Sequence, residues 1–234
     1  MIKIGKLPIS GIPRIAISLR DRTPLSSLRY LRGHVDIVEL RVDQFSSYDT
    51  KYVLNEAKKI KYFPIIATIR SYKEGGNWKE PEAQRLELFK ALIPHVDAVD
   101  IELSSKDILK EVIRSAHLKK KLVIVSYHNF QEMPALTKLN QIVKQAKALK
   151  ADIVKIAALS LSKKDTQLLG NFTALNQHKN LITIAMGTQG AVSRILFPAL
   201  GSLVTYTFLD QPSAPGQIDF RTTATFLKKL CPGS

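Results

Sequence analysis

Residues 152–157 read Asp-Ile-Val-Lys-Ile-Ala, a short apolar run with one lysine in its middle. A run of this length and composition is typical of a strand that is covered on both faces, as the strands of parallel sheets are. The next segment, residues 163–176, has the apolar spacing of an amphipathic helix. A strand followed by a helix is the unit from which parallel sheets are built, because the chain needs a crossover to reach the start of the next strand.

The same unit recurs along the whole chain. The predicted strands are 14–19, 37–43, 64–70, 98–103, 122–128, 152–157, 181–186 and 203–209, and the predicted helices include 51–61, 82–93, 105–118, 135–149, 163–176 and 221–230. Eight such units in 234 residues predict an α/β fold, a (β/α)8 TIM barrel. An open doubly wound sheet is the alternative, but no glycine-rich phosphate loop follows the first strand, where residues 19–23 read Leu-Arg-Asp-Arg-Thr.

The remaining features of the chain fit one barrel. We expect residues 1–234 to form a single domain, because the chain is too short for two domains of average size. Residues 1–12 contain two short apolar pieces separated by glycine and proline, and we expect them to form a hairpin that closes the lower end of the barrel.

The composition limits the classes of partner. The net charge is +15, but the positive residues are scattered, with short clusters at 119–121, 163–164 and 228–229, so a solvated basic surface is the favoured interpretation. The basic residues are not interleaved with aromatic side chains, and we expect no nucleic-acid partner. No apolar run approaches the roughly 18 residues of a membrane span, so we expect no membrane partner. The N-terminus lacks a secretory signal and Cys231 is the single cysteine, which together predict a cytoplasmic protein.

Charged residues occupy the second predicted strand. Residues 37–43 alternate, so Glu39, Arg41 and Asp43 share the inward face of the strand, and the apolar residues between them face the helices. Active sites of barrels form at the carboxyl ends of the strands, where inward polar residues gather. These charges could also simply neutralise one another and their neighbours, since an unpaired buried charge is costly.

The third and fourth predicted strands add further charges. The third strand ends at Arg70, and Glu74 lies on the loop after it. The fourth strand contains Asp100 and Glu102, of which we expect one, Glu102, to point inward as a structural partner.

Two residues on the fifth and sixth strands suggest covalent chemistry. His128 is the only histidine at the end of a predicted strand, and an imidazole can take and return a proton near neutral pH. Lys155 lies among apolar neighbours, where burial disfavours the charged form of an amine. An uncharged amine attacks ketones, and the iminium that results withdraws electrons from the adjacent carbon. An ion pair of Lys155 with Glu39 or Glu102 is the alternative.

Two later loops offer groups that bind anions and hydroxyls. Residues 186–194 form a glycine-containing loop that enters a helix carrying Arg194, a common arrangement for holding a carboxylate. Residues 211–217 form a proline-stiffened loop with Ser213 and Gln217.

Taken together, the sequence resembles the type I 3-dehydroquinate dehydratase family. The resemblance runs from the first strand to the last helix and is carried by residues 39–43, 70–76, 126–130, 152–157, 193–194 and 213–217, all in the order of the family. It implies dehydration of 3-dehydroquinate to 3-dehydroshikimate in the shikimate pathway of aromatic amino-acid biosynthesis.

The resemblance also implies roles for individual residues. Lys155 would form an imine with the ring ketone, His128 would carry protons as general acid and base, and Glu74 would orient His128. Arg194 would hold the substrate carboxylate. The other substrate-binding residues would be Ser18, Glu39, Arg41, Arg70, Ser213 and Gln217. The lysine supplies the electron sink, so we expect no organic cofactor and no metal. Members of the family are often dimers and are in some organisms fused to shikimate dehydrogenase, so we expect a homodimer, and a fusion of this kind stays open.

Two rival functions stay open at this point. A class I aldolase would use the same lysine chemistry, although no obvious phosphate-binding loop follows the seventh or eighth strand. A basic barrel that binds nucleic acid without catalysis would leave the charges at the strand ends unexplained.

Overall fold

A computed structural model describes residues 2–9, 11–212, 214 and 216–231. The chain opens with a hairpin of two short strands, β1 (Lys3–Ile4) and β2 (Leu7–Pro8), which pair antiparallel. The eight strands that follow are β3 (Arg14–Leu19), β4 (Ile37–Arg41), β5 (Ile65–Thr68), β6 (Ala98–Glu102), β7 (Leu122–Asn129), β8 (Ile153–Leu159), β9 (Leu181–Met186) and β10 (Val204–Thr207). The helices are α1 (Leu25–Tyr30), α2 (Thr50–Lys58), α3 (Glu82–Leu92), α4 (Lys106–Leu118), α5 (Leu136–Ala148), α6 (Lys163–Leu175), α7 (Ser193–Ala199) and α8 (Phe220–Leu230).

The eight long strands form a barrel. Each pairs in parallel with the next from β3 to β9, and β10 pairs with β3. Between β9 and the last strand the backbone amide of Leu203 donates to the carbonyl of Leu181 over 2.8 Å, which brings the two ends of the sheet together. The predicted (β/α)8 barrel is therefore confirmed, and the open sheet is excluded because an open sheet keeps its first and last strands apart.

The alternation of side chains along the strands creates two apolar layers. Outward residues such as Val38 and Leu40 pack with buried residues of the surrounding helices, for example Val53 of α2. Inward residues at the starts of the strands form a second cluster inside the barrel, which Ile4 and Ile9 of the hairpin complete. The hairpin closes the lower end as predicted, because both isoleucines are buried there.

The helices begin where short polar side chains satisfy free backbone amides. Ser162 and Asp165 form a capping box at the start of α6, and Asp219 accepts from two backbone amides at the start of α8. Most helix ends lie within about two residues of the predicted ones, the normal uncertainty of such boundaries. Helix α1 was not predicted from the sequence.

Two of the three basic clusters lie at the carboxyl ends of helices. Lys119, Lys120 and Lys121 follow the last residue of α4, and Lys228 and Lys229 lie in the last turn of α8. Cations are favourable there because the carboxyl end of a helix carries partial negative charge. Lys3 of the hairpin lies beside residues 119–121, so positive charge collects at the lower end of the barrel, opposite the carboxyl ends of the strands.

None of the helices within the described ranges has the length and hydropathy that a bilayer crossing requires.

Candidate active site

A pocket opens at the carboxyl ends of the strands. Its walls contain all the candidate site residues that lie in the described part of the chain: Ser18, Glu39, Arg41, Arg70, Glu74, His128, Lys155, Arg194 and Gln217. These residues come from six strands or the loops after them and from α7. Ser213, the tenth candidate, lies outside the described residues.

Lys155 lies in the middle of β8 and points into this pocket. The residue is 5% exposed. The amine Nζ lies 3.0 Å from Oδ2 of Asp100 and 3.5 Å from Oε1 of Glu39. It also lies 4.0 Å from the centre of the Tyr206 ring. Two carboxylates and an aromatic face all stabilise a positive charge on this nitrogen, whether it is an ammonium or an iminium. The ion pair with Glu39 that the sequence left as an alternative is present.

The position of Asp100 differs from the prediction made for the fourth strand of the barrel, β6. From the sequence only Glu102 was expected to point inward, but both carboxylates are buried on the inner side. The two residues are separated by one position, and side chains two apart on a strand share a face. Burial alone would raise the pKa of Asp100, but the charges of Arg70 and Lys155 outweigh it and hold the pKa well below its usual range. Asp100 is thus a permanent carboxylate beside the lysine.

Arg70 fixes the position of Asp100 through a buried network. Its guanidinium donates to Asp100 Oδ1 over 2.5 Å, to Glu102 Oε1 over 2.8 Å and to Ser126 Oγ over 2.8 Å. Ser126 Oγ in turn donates to Asp100 over 2.7 Å. The positive charge of Arg70 compensates two carboxylates, so this part of the pocket wall is held rigidly by side chains from β6 and β7.

Arg85 of α3 completes this network from outside the barrel. It is 0% exposed and donates to Glu102, to Ser105 Oγ over 3.2 Å and to Glu82 over 3.0 Å. From the sequence, residue 85 was assigned only to the predicted helix 82–93, and this contact was missed. A helical arginine close to a predicted strand with two acids was the signal that pointed to it.

His128 and Glu74 form a pair at the rim of the pocket. Oε2 of Glu74 lies 3.0 Å from the ring nitrogen Nδ1 of His128 and accepts from the backbone amide of His128 over 2.9 Å. Oε1 of Glu74 accepts a hydrogen bond from Ser104. Burial raises the pKa of Glu74 to about 7, although the bond from Ser104 opposes this shift.

The imidazole of His128 is held in its neutral form. Burial lowers the pKa of His128 well below its usual range, and the nearby charges of Arg70 and Lys155 lower it further. When Glu74 is ionised it accepts the proton of Nδ1, which leaves Nε2 of the neutral ring with a free lone pair. His128 can therefore act as a base through Nε2, and the carboxylate of Glu74 increases its basicity.

The loop that carries Glu74 is shaped by two glycines. Gly75 has φ +77°, and a Cβ at Gly76 would lie 2.0 Å from the carbonyl oxygen of Arg70. Only glycine allows this close approach, which turns the chain back so that Glu74 reaches His128.

The second strand of the barrel, β4, is shorter than predicted. The strand ends at Arg41, and residues 42–44 form a 3-10 helix, so Asp43 does not continue the inward face. Asp43 instead accepts two bonds from the Arg41 guanidinium, over 3.0 Å to Nε and 2.9 Å to Nη2. Arg41 is thereby oriented at the pocket. Glu39 accepts from Ser18 over 2.5 Å and from Thr68 over 2.9 Å.

Arg194 reaches the pocket from the first turn of α7. The residue is buried, and burial lowers its pKa to about 10. Its guanidinium therefore remains positive at neutral pH. Gln217 also lines the pocket, and its Oε1 accepts from the backbone amide of Ala214 over 3.3 Å.

The described residues contain no group of three His, Cys, Asp or Glu side chains arranged to hold a metal ion.

Comparison with known proteins decides the family. A sequence model described as Type I 3-dehydroquinase matches residues 17–230. The chain belongs to the type I 3-dehydroquinase family. The resemblance inferred from the sequence is therefore confirmed, and the chain is a lyase of this family by descent.

Known relatives match this chain over nearly their whole length. The 3-dehydroquinate dehydratase of Thermodesulfovibrio yellowstonii is 35% identical over 224 residues, which are 95% of this chain and 97% of that one. The crystal structure of 3-dehydroquinate dehydratase from Geobacillus kaustophilus has a TM-score of 0.86 at 32% identity. The match covers 95% of this chain and 92% of that one. The type I 3-dehydroquinate dehydratase from Clostridium difficile, crystallised with covalent modified comenic acid, has a TM-score of 0.88 at 28% identity, with 96% and 95% covered.

Sequence reasoning missed three residues: Asp100 and Tyr206, which lie beside Lys155, and Ser104, which lies beside Glu74. Asp100 could have been found from its spacing to Glu102. Tyr206 occupies an inward position of β10 between Val204 and the strand end, and the same rule of alternation would have found it. Ser104 could not be predicted, because its contact with Glu74 joins two loops after different strands.

Proposed function

We propose that this chain dehydrates 3-dehydroquinate to 3-dehydroshikimate and water through an imine on Lys155. The observation that carries the proposal is the lysine amine itself, buried in the pocket between the carboxylates of Asp100 and Glu39. A permanently ionised carboxylate beside the nitrogen stabilises an iminium as well as an ammonium, so the site is suited to hold the charged intermediate.

The proposed reaction begins with attack of the amine on the ring ketone. Neutral His128 accepts the protons that the Lys155 nitrogen gives up and passes them in turn to the former carbonyl oxygen. That oxygen leaves as water, which leaves the iminium and a neutral His128. His128 then removes a proton from the carbon beside the iminium, and the electron pair moves to nitrogen as an enamine. The enamine expels the tertiary hydroxyl, which leaves as water after His128 returns a proton. Hydrolysis of the product imine restores Lys155.

The remaining side chains of the pocket are suited to bind an anionic polyol. Arg194 is the buried cation on the α7 side and would pair with the substrate carboxylate. Glu39, Arg41, Arg70 and Ser18 offer donors and acceptors for ring hydroxyls, and Ser213 and Gln217 would close the mouth over the substrate. The C. difficile relative was crystallised with covalent modified comenic acid, which supports a covalent step in the proposed reaction. A homodimer and a cytoplasmic location in the shikimate pathway stay predictions.

One assay tests the proposal against the aldolase alternative. The purified protein is incubated with 3-dehydroquinate while the absorbance of the conjugated enone is followed. A parallel sample is treated with borohydride, and the mass of the protein is measured by mass spectrometry. We expect absorbance to rise and an adduct to appear. A sample that shows neither would contradict the proposal, and an adduct formed only with sugar phosphates would support an aldolase.

The change Glu74→Gln is expected to lower activity and to raise stability. Protonation of Glu74 below about pH 7 removes the acceptor for Nδ1, so wild-type kcat should fall as the pH drops below about 7. The glutamine variant should lose that pH dependence, with kcat at pH 8 reduced about tenfold to a hundredfold. Because the pKa in the folded state is raised, the stability that Glu74 contributes is fully present below about 4.5 and is lost as the pH rises through about 7.

Thermal unfolding between pH 5 and pH 8 tests the stability part of this prediction. At pH 8 the variant should be more stable than the wild type by up to about 3 kcal/mol, because an amide does not carry the buried negative charge. The change Glu87→Gln on the exposed side of α3 is the matched control, since its carboxylate contacts only Lys90 among the described residues. An unaltered pH profile of kcat in Glu74→Gln would contradict the assignment.

A further inference from the structure

The side chain of Tyr206 has a feature that the proposed mechanism does not use. Tyr206 is 3% exposed, lies on the inner side of β10 and lines the pocket. Its hydroxyl is buried and has no hydrogen-bond partner among the described residues. A buried hydroxyl without a hydrogen-bond partner lowers the stability of the fold by about 1–3 kcal/mol. Most buried polar groups in folded proteins therefore have a partner. For a hydroxyl of this kind on a residue that lines the pocket, a bound ligand is the partner that the site can still supply.

The charges around Tyr206 determine which role its hydroxyl can take. Burial raises the pKa of Tyr206 well above its usual range, and the negative charges of Glu39 and Asp100 raise it further. The hydroxyl therefore keeps its proton at all pH values at which the protein works, and it can donate a hydrogen bond.

The position of the ring locates the oxygen that would accept this bond. The amine of Lys155 lies over the face of the Tyr206 ring, 4.0 Å from its centre. A ligand joined to that amine must lie against the same aromatic ring, so its reacting carbon and the oxygens next to it come within reach of the ring's polar end.

We propose that the Tyr206 hydroxyl donates a hydrogen bond to an oxygen of the substrate beside the carbonyl that Lys155 attacks. This inference rests on the proposed function and adds a binding residue to it. The ring face of Tyr206 stabilises the positive nitrogen, and its hydroxyl selects substrates that carry an oxygen next to the ketone. One side chain thereby links covalent capture to recognition of the neighbouring substituent.

The change Tyr206→Phe removes the hydroxyl and keeps the ring. We expect kcat/KM for 3-dehydroquinate to fall about tenfold, which corresponds to about 1.4 kcal/mol, mainly through a higher KM. We also expect the free protein to keep or increase its melting temperature, because a buried hydroxyl without a partner has been removed. A hydroxyl with a purely structural role would not produce this combination of retained stability and weaker substrate use.

Two further variants make the test specific. The change Tyr206→Leu also removes the aromatic face, and we expect a larger loss than in Tyr206→Phe together with slower trapping by borohydride. The change Tyr127→Phe removes a hydroxyl from the outward side of β7, which packs against the helices, and should leave kcat/KM unchanged.

The outcomes separate this inference from the proposed function. A wild-type protein that neither turns over 3-dehydroquinate nor forms an adduct would overturn the proposed function. An active wild type with Tyr206→Phe within twofold of it in kcat/KM would overturn only the role of the tyrosine hydroxyl. A tenfold loss with a melting temperature at least equal to that of the wild type would support it.

Discussion

Replacing Lys155 with alanine is expected to abolish turnover of 3-dehydroquinate and to eliminate the borohydride-trapped adduct. The nitrogen of Lys155 is the nucleophile and the electron sink in the proposed reaction, and no second amine lines the described part of the pocket. Loss of a covalent nucleophile typically lowers kcat by about 10⁴-fold or more. Absorbance of the enone and the mass of the reduced protein measure the two effects separately.

The alanine variant also removes a charge, so a second variant is needed. Lys155→Ala leaves Asp100 and Glu39 without a cation that both contact, and buried carboxylates without a partner destabilise the fold. Lys155→Arg keeps a positive charge near both carboxylates but has no nucleophilic amine. We expect it to be folded, inactive and free of adduct. The change Lys163→Arg at the exposed start of α6 is the control and should retain both activities. Near-normal turnover in either Lys155 variant would rule out the imine mechanism.

Replacing His128 with alanine is expected to lower kcat by about 10²- to 10⁴-fold, the usual contribution of a general acid–base residue. The imine itself should still form, although more slowly, because Lys155 is unchanged. Borohydride should therefore trap a substrate adduct that accumulates when the following proton transfer is blocked. Single-turnover trapping followed by mass spectrometry measures this, with His178→Ala on the outer surface as the matched control.

A double variant tests whether Glu74 acts through His128. Their hydrogen bond makes Glu74 a positioning residue for the imidazole, so its effect should disappear once the imidazole is gone. We expect Glu74→Gln combined with His128→Ala to have the same kcat as His128→Ala alone. A further tenfold loss in the double variant would mean that Glu74 has an independent role, and a kcat for His128→Ala within tenfold of the wild type would exclude His128 as the proton carrier.

The elements and the wall of the pocket could be predicted largely from local patterns. Alternation along 37–41 and the lysine within 152–157 indicated which side chains point into the barrel, and the strand ends indicated where they gather. The prediction was wrong where a strand ends early, at Arg41, and where only one of two equally spaced acids was taken as inward, at Asp100. The first error has a physical reason. Asp43 pairs with the Arg41 guanidinium and also accepts a hydrogen bond from the backbone amide of Asn77, which lies on another loop. These contacts favour a turn after Arg41, and the second of them depends on a distant part of the chain.

By itself the sequence determined the barrel, through its eight strand-helix units, and the alternation of inward and outward side chains along the strands, because both follow from patterns that neighbouring residues set. Only the tertiary structure decided the partners. Lys155 and Glu39 are 116 positions apart, and their contact depends on how each intervening strand is offset from the next around the barrel. The same offsets place Tyr206 beneath the lysine and join Arg85 to Glu102. Registers of this kind are the sum of many packing interactions, so no short segment encodes them.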